Sequence, residues 1–181
     1  MENLILIRHG ETGDNKSDPK RALTKEGQRK VGEVALLLSR NFKDKEFLIL
    51  TTDTYRAVQT SNILAKELTV NKIVKSKLRI LNLDNLRSII QSNEKKRIRP
   101  AKTYLSMPDN QLKELEVETS DQVFNRWTKL IKDFKAKNVI IVSHECSLEA
   151  FLSKQKGYTV IRKSFKKYFN YGDFAILTKK I

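Results

Sequence analysis

The sequence predicts an α/β fold: one three-layer domain spanning residues 1–181, with a mostly parallel central sheet and helices on both faces. Three observations predict it. The runs Leu4–Ile7, Phe47–Leu50 and Val139–Val142 are apolar without a break, the pattern of strands buried on both faces. Between them lie stretches with apolar residues at helical spacing, and strands alternating with helices imply parallel pairing. Each run also ends at turn-forming or capping polar residues, and ligands of open α/β sheets bind just beyond such strand ends.

The elements follow in order. After the first strand, Gly10 to Arg21 is a polar loop carrying Gly13, Asp14, Asn15, Ser17 and Pro19. Thr24 is suited to cap a helix running to about Arg40, with Val31, Val34, Ala35 and Leu38 on its apolar face. Gly27 weakens the first turn of that helix. Phe47–Leu50 is the second strand, and Thr51, Thr52, Asp53 and Thr54 follow as cap and turn residues. A helix from Tyr55 to about Leu68 places Ala57, Ser61, Leu64, Ala65 and Leu68 on one face.

Lys72–Leu83 reads as a charge-interrupted strand and loop. From Asp84 to Glu118 periodicity is lost, and a long irregular stretch inside a compact domain is expected to act as a lid. It carries the basic cluster Lys95, Lys96, Arg97 and Arg99, which reads either as a solvated loop or as a flap that meets an anionic ligand, then Pro100 and Pro108. Ser120 opens an amphipathic helix whose Val123, Phe124, Trp127, Leu130, Ile131 and Phe134 belong to the core. The third strand, Val139–Val142, runs into Ser143, His144 and Glu145. A short helix around Leu148–Leu152 follows, and Tyr158–Ile161 and Phe174–Leu177 supply one or two edge strands, the last suited to antiparallel pairing.

Composition narrows the function classes. A chain of 181 residues, 39% hydrophobic and 31% charged, fits one soluble domain with a real core. No apolar run approaches the length of a membrane span. Met1 to Ile7 is too short for a signal-peptide core and lacks a basic flank. One cysteine, Cys146, excludes an internal disulfide, so the expected location is the cytoplasm. Lys and Arg number 36 against 21 Asp and Glu, a net charge of +15 that draws in anions. No RNA- or DNA-binding motif accompanies that charge, so nucleic acid is not the expected partner. Oligomeric state has no signature in the sequence.

The strand ends carry the chemistry. The first delivers Arg8 and His9, the second delivers Arg56 one helical turn on, and the third delivers Ser143, His144 and Glu145. Parallel strands put these ends on one edge, so both histidines of the chain and two arginines converge. Guanidiniums bind phosphate oxygens bidentately. A neutral imidazole can attack phosphorus, and a second one, if protonated, stabilises charge on the equatorial oxygens. Backbone amides at Gly10 and at the helix start near Asp53 offer further donors. The inference is a phosphoryl-transfer site. Two histidines so far apart, without cysteines or an H-E-x-x-H pattern and flanked by arginines, make a poor zinc site, so no metal is expected. Neither G-x-x-x-x-G-K-[ST] nor G-x-G-x-x-G occurs. Cys146 reads as a small buried side chain.

These residues resemble the histidine phosphatase superfamily, also called phosphoglycerate-mutase-like. The hallmark R-H-G-[ED]-[ST] is matched by Arg8-His9-Gly10-Glu11-Thr12, and an Asn six residues after the histidine by Asn15. Leu23 to Gly27, LTKEG, looks like the family's L-T-x-x-G, and Arg56-Ala57-Val58-Gln59-Thr60 like R-A-x-Q-T. Glu118, Ser120 and Arg126 resemble the helix-opening segment, and Ser143-His144 supplies the second histidine. The resemblance spans most of the chain and implies a phosphoglycerate-mutase-like fold.

It further implies a phosphatase that needs neither metal nor cofactor and acts on a phosphorylated small molecule or a phosphoprotein. His9 would be the nucleophile that becomes phosphohistidine. Arg8, Arg56 and His144 would hold the phosphoryl group, with Asn15, Gly10 and Thr12 completing the binding set. Two departures bear on the proton donor. The family's usual Leu-x-Glu corresponds to Leu78-Arg79-Ile80, so Ile80 stands where the general acid is expected. The residue after the second histidine, often Gly or Asp, is Glu145. Glu145 is therefore a candidate proton donor, and Asp84, four residues after Ile80, is the other. The alternative is a catalytically weakened relative that binds a phosphorylated ligand or partner.

Overall fold

In the computed structural model, which describes residues 1–13, 20–70, 73–75, 78 and 82–180, the uninterrupted apolar runs form the centre of the sheet. They are β1 (Asn3–Arg8), β2 (Leu48–Thr51) and β4 (Asn138–Ser143). The other strands are β3 (Ile73–Lys75), β5 (Tyr158–Lys163) and β6 (Phe174–Lys179). The order is β3-β2-β4-β1-β6-β5, with β3, β2, β4 and β1 mutually parallel. β6 runs antiparallel to β1, and β5 antiparallel to β6 with a bulge between Val160 and Arg162. Both expected strands are thus present, β5 at the edge and β6 inside the sheet between β1 and β5 rather than at an edge.

Alternate residues of the central strands feed two cores. Leu4, Leu6, Leu50 and Ile141 pack with Tyr104, Trp127, Leu148 and Phe151 on one face. Ile5, Ile7, Ile49 and Val142 pack with Val31, Ala35, Leu38 and Leu64 on the other. The second face is covered by α1 (Lys25–Asn41) and α2 (Tyr55–Glu67). The first is covered by α6 (Ser120–Asp133) and α7 (Glu145–Ser153) together with the segment that precedes α6. The cap of α6 is Thr119, which exchanges bonds with Gln122 in a capping box. No helix among the described residues is long and apolar enough to cross a membrane.

The stretch 84–118 is helical rather than irregular. A 3₁₀ turn (Asp84–Leu86) leads into α3 (Arg87–Lys95), α4 (Pro100–Leu105) and α5 (Asp109–Glu114). None exceeds nine residues, too short for a 3.6-residue period to stand out in sequence. Pro100 opens α4 and Pro108 caps α5. Buried Leu86, Ala101, Tyr104, Leu112 and Val117 dock the segment on the core.

Gly27 has a positive role in the first turn of α1. A Cβ there would stand 2.4 Å from the Glu11 carbonyl oxygen and 2.8 Å from its nitrogen. The loop after β1 therefore touches the backbone of α1 directly. Thr24 caps the helix by accepting from the Gly27 amide at 2.9 Å and donates its own amide to the Glu11 carbonyl at 2.9 Å. Helix propensity alone would make Gly27→Ala stabilising by about 1 kcal/mol. The contact with Glu11 reverses the sign: we expect a loss of about 1–3 kcal/mol, as for other overpacked sites, read by urea unfolding of the two proteins.

Candidate active site

The β1–β4 pairing builds the site. Arg8 lies opposite Ser143 in the register, and the His9 amide continues the ladder by donating to the Ser143 carbonyl at 3.0 Å. His144 then caps α7 from the next position. On the far side of β4, the Thr52 amide donates to the Val142 carbonyl at 3.3 Å, and Arg56 stands in the first turn of α2. The residues predicted from the strand ends therefore converge, with the His9 and His144 ring centres 4.9 Å apart.

Hydrogen bonds define the protonation of each ring. His9 is 3% exposed, and its Nδ1 lies 2.8 Å from the Gly10 carbonyl oxygen. A carbonyl only accepts, so Nδ1 carries the proton and Nε2 keeps its lone pair. That lone pair faces the Arg56 Nε donor at 3.3 Å. At His144, Arg56 Nη2 lies 3.4 Å from Nδ1, while the hydroxyls of Thr52 and Thr54 lie 3.3 Å from Nε2. Arg56 can only donate, so His144 accepts at Nδ1 and donates toward the threonines. Burial pushes the His9 imidazole down to about 3, helped by the charges of Arg56, Arg8 and Arg21 against the pull of the Gly10 carbonyl. Burial, then His9 and the same three arginines, hold His144 well below its ordinary value. Arg56 itself is lowered to about 10, by burial first and Arg21 second.

Arg8 is held tightly. Its Nη1 donates to Glu145 Oε2 and to the Phe169 carbonyl, each at 2.8 Å. Its guanidinium carbon stacks 4.1 Å from the centre of the Tyr171 ring, which also lies 5.4 Å from the His9 ring. Its Nε is buried without a partner, as are Arg21 Nε, Thr12 Oγ1 and Ser143 Oγ. Glu145 is ion-paired on its other oxygen with Arg99 Nε at 2.8 Å.

The remaining predicted residues fall as follows. The Gly10 amide donates to Thr60 Oγ1 at 3.0 Å, so it is engaged inside the protein. Thr12 is buried and bridges to Leu23. Asp84 is exposed and pairs with Arg87 at 2.8 Å, one turn along the same segment. Asn15 and Ile80 lie outside the described residues. Cys146 is buried, and burial pushes its thiol up to about 12. Among the described residues no group of three or more His, Cys, Asp and Glu side chains is placed to hold a metal ion.

Sequence reasoning missed four contributors and gave Arg99 only as one of a basic cluster. Arg21 and Tyr171 lie in loops without periodicity, and Arg99 reaches in from the 84–118 segment. Thr52 and Thr54 read as cap and turn residues. Thr54 does occupy the cap of α2, yet its hydroxyl makes no cap bond and faces His144 instead. The available signal was TTDT directly after a buried strand, at an edge already carrying two histidines. A cleft of about 920 Å³ opens at the opposite, amino-terminal edge of the sheet, beside Glu2, Leu48 and Asn138, and holds neither histidine.

The fold has known counterparts. A glucosyl-3-phosphoglycerate phosphatase from a mycobacterium superposes with a TM-score of 0.58 at 18% identity, over 84% of this chain and 78% of its own. A protein described as a candidate phosphohistidine phosphatase, SixA, from Agrobacterium tumefaciens gives 0.60 at 16% identity, over 98% and 91%. A candidate alpha-ribazole-5'-P phosphatase from Escherichia coli gives 0.60 at 18% identity, over 99% and 95%. At such identities the likeness concerns the fold. No curated protein matches the sequence. The family profile of the histidine phosphatase superfamily (branch 1) matches residues 4–165, a span that holds Arg8, His9, Arg56 and His144, and the chain belongs to that superfamily.

Proposed function

We propose that this protein is a phosphatase that transfers a phosphoryl group to His9 Nε2 and then to water. The observation that carries the reading is the pairing of two neutral, buried imidazoles with the guanidiniums of Arg8 and Arg56, and with Arg21 close enough to depress both rings. Buried polar groups normally find partners, so the unpartnered Arg8 Nε and Arg21 Nε are donors suited to phosphoryl oxygens. In the first step the Nε2 lone pair forms a bond to phosphorus and the bond from phosphorus to the leaving group breaks. In the second, water attacks phosphorus, the phosphorus–nitrogen bond breaks, and inorganic phosphate leaves. The guanidiniums stabilise the equatorial oxygens in both steps, and His144 joins them by turning its Nε2 proton from the Thr52 and Thr54 hydroxyls to the phosphoryl group. The reading needs no metal, because the arginines supply the charge.

Protonation of the leaving group sets the substrate class. Among the described residues no carboxylate hydrogen-bonds or ion-pairs with either histidine. Glu145 is clamped between Arg8 and Arg99, and Asp84 is paired at the surface. Each Glu145 oxygen faces a guanidinium rather than a histidine, so we assign Glu145 to holding Arg8. The substrates that suit such a site leave as stable anions or neutral amines: aryl phosphates, acyl phosphates or phosphohistidine, on a small molecule or a protein. The same observation favours a second reading, a weakened relative that binds a phosphorylated ligand and turns it over slowly.

Three outcomes are expected. Incubation with a labelled aryl or acyl phosphate, quenched in base, leaves acid-labile phosphate on the wild type and none on His9→Ala, whose hydrolysis falls by orders of magnitude. Equal turnover by the two proteins would remove the reading, and binding without labelling would favour the second one. Hydrolysis of aryl or acyl phosphates exceeds that of alkyl phosphates by about 10²–10⁴-fold, the contribution of a missing general acid; brisk alkyl phosphate hydrolysis would return a proton donor to the site. The third concerns pH. Both histidines have lowered values in the folded protein, so below about 6.5 the unfolded chain binds protons that the native one does not. Stability is fully present above 6.5 and is lost as pH falls toward about 3. His9→Gln is expected to flatten this loss, measured as unfolding midpoints between pH 7.5 and 5.

A further inference from the structure

Of the basic cluster Lys95, Lys96, Arg97 and Arg99, one member turns inward. Arg99 has extended backbone at the cap of α4, immediately before Pro100. Its Nη2 donates to the Phe169 carbonyl at 2.7 Å and its Nη1 to Asn170 Oδ1 at 2.9 Å, while Nε stands 2.8 Å from Glu145 Oε1. Arg8 engages the same two groups, donating to the other oxygen of Glu145 and to the same Phe169 carbonyl. One carboxylate and one peptide oxygen therefore hold two guanidiniums side by side. The Phe169 peptide is fixed from behind as well, because its amide donates at 2.8 Å to Glu149, one turn beyond Glu145 on α7.

The charges explain why a second arginine is needed. Glu145 is nearly buried, its side chain 9% exposed against 12% for Arg8. A carboxylate this close to a phosphoryl site steers Arg8, yet it also repels the dianion that Arg8 must hold. With Arg8 and Glu145 alone the local charge cancels to zero. Adding Arg99 makes it +1. Arg99 is itself 34% exposed, and its polar partners are Glu145, Asn170 and the Phe169 carbonyl rather than a histidine, so its effect passes through Glu145 and the Phe169 carbonyl.

We propose that Arg99 is a positioning residue for the phosphoryl site: it holds Glu145 in place and neutralises it, so that Arg8 stays aimed at the substrate with its charge uncancelled. The short helices of residues 84–118 are thereby tied to the phosphate end of the pocket, and not only to whatever part of a substrate lies beyond it. The proposal rests on the reading of the site as a phosphoryl pocket.

A merely structural Arg99 and a charge-neutralising one differ in the sign of one measurement. Inorganic phosphate is titrated into the wild type, Arg99→Ala, Arg99→Lys, and the double variant Arg99→Ala with Glu145→Gln, each checked for folding by thermal unfolding. The proposal expects Arg99→Ala to bind phosphate about tenfold more weakly, in keeping with an uncompensated nearby charge in partly screened surroundings. It expects Arg99→Lys to recover most of the loss, since it keeps the charge without the fork. Above all, adding Glu145→Gln to Arg99→Ala should restore binding, because the charge that Arg99 opposed has gone; a structural role predicts that the double variant is no better than the single one. Arg99→Gln carries the same comparison if Arg99→Ala fails to fold. Unchanged affinity in the single variant, or no recovery in the double one, overturns the proposal while wild-type binding stands. A wild type that binds no phosphate overturns the phosphoryl reading itself, and this assignment with it.

Discussion

Everything at the site depends on the parallel pairing of β1 with β4, because this one register brings residues from opposite ends of the chain to the same edge. Arg8 faces Ser143, and the His9 amide reaches the Ser143 carbonyl one step further on. A slip by a single residue would turn His9 to the other face. The buried alternation on both sides of the sheet makes such a slip costly, since Leu4, Leu6 and Ile141 belong to one core and Ile5, Ile7 and Val142 to the other. The hydrophobic interior thus sets the spacing of the polar edge.

That edge concentrates positive charge in a buried place and then manages it with few compensating acids. Burial first, then Arg56, Arg8 and Arg21, depresses the two histidines, and burial followed by Arg21 lowers Arg56 itself. Both imidazoles are accordingly neutral, which leaves His9 with a lone pair for bonding. Glu145 is the acid built into the cluster, and it meets an arginine on each oxygen. Glu149, raised to about 7 chiefly by burial, supports the Phe169 amide from the next turn of the helix. The arrangement favours a ligand that brings its own negative charge.

Much of this was legible in the residues. Continuous apolar runs mark β1, β2 and β4 because a strand covered on both faces has no reason to alternate, and the polar residues ending those runs identify Arg8, His9, Arg56 and His144. The helices with long apolar faces were equally plain. What escaped was contributed by segments whose local pattern is weak. α3, α4 and α5 are each too short for a period to emerge, and with them the inward turn of Arg99 was hidden. Arg21 and Tyr171 sit in loops, where side-chain direction is decided by tertiary contacts. Gly27 looked like a defect of α1, since helix propensity does not register the Glu11 backbone lying against it.

The loop that leads into β6 has a consequence in time. Arg8 is bonded to the Phe169 carbonyl across a separation of 161 residues, and the Gly172 amide closes onto the His9 carbonyl. During synthesis His9 emerges well before Phe169, Tyr171 and Gly172, which follow it by about 160 residues. Contacts this distant in sequence form slowly, after the loops between them have closed. A nascent chain therefore displays His9 long before it has the groups that orient its arginine, and the competent pocket arises together with the completed sheet.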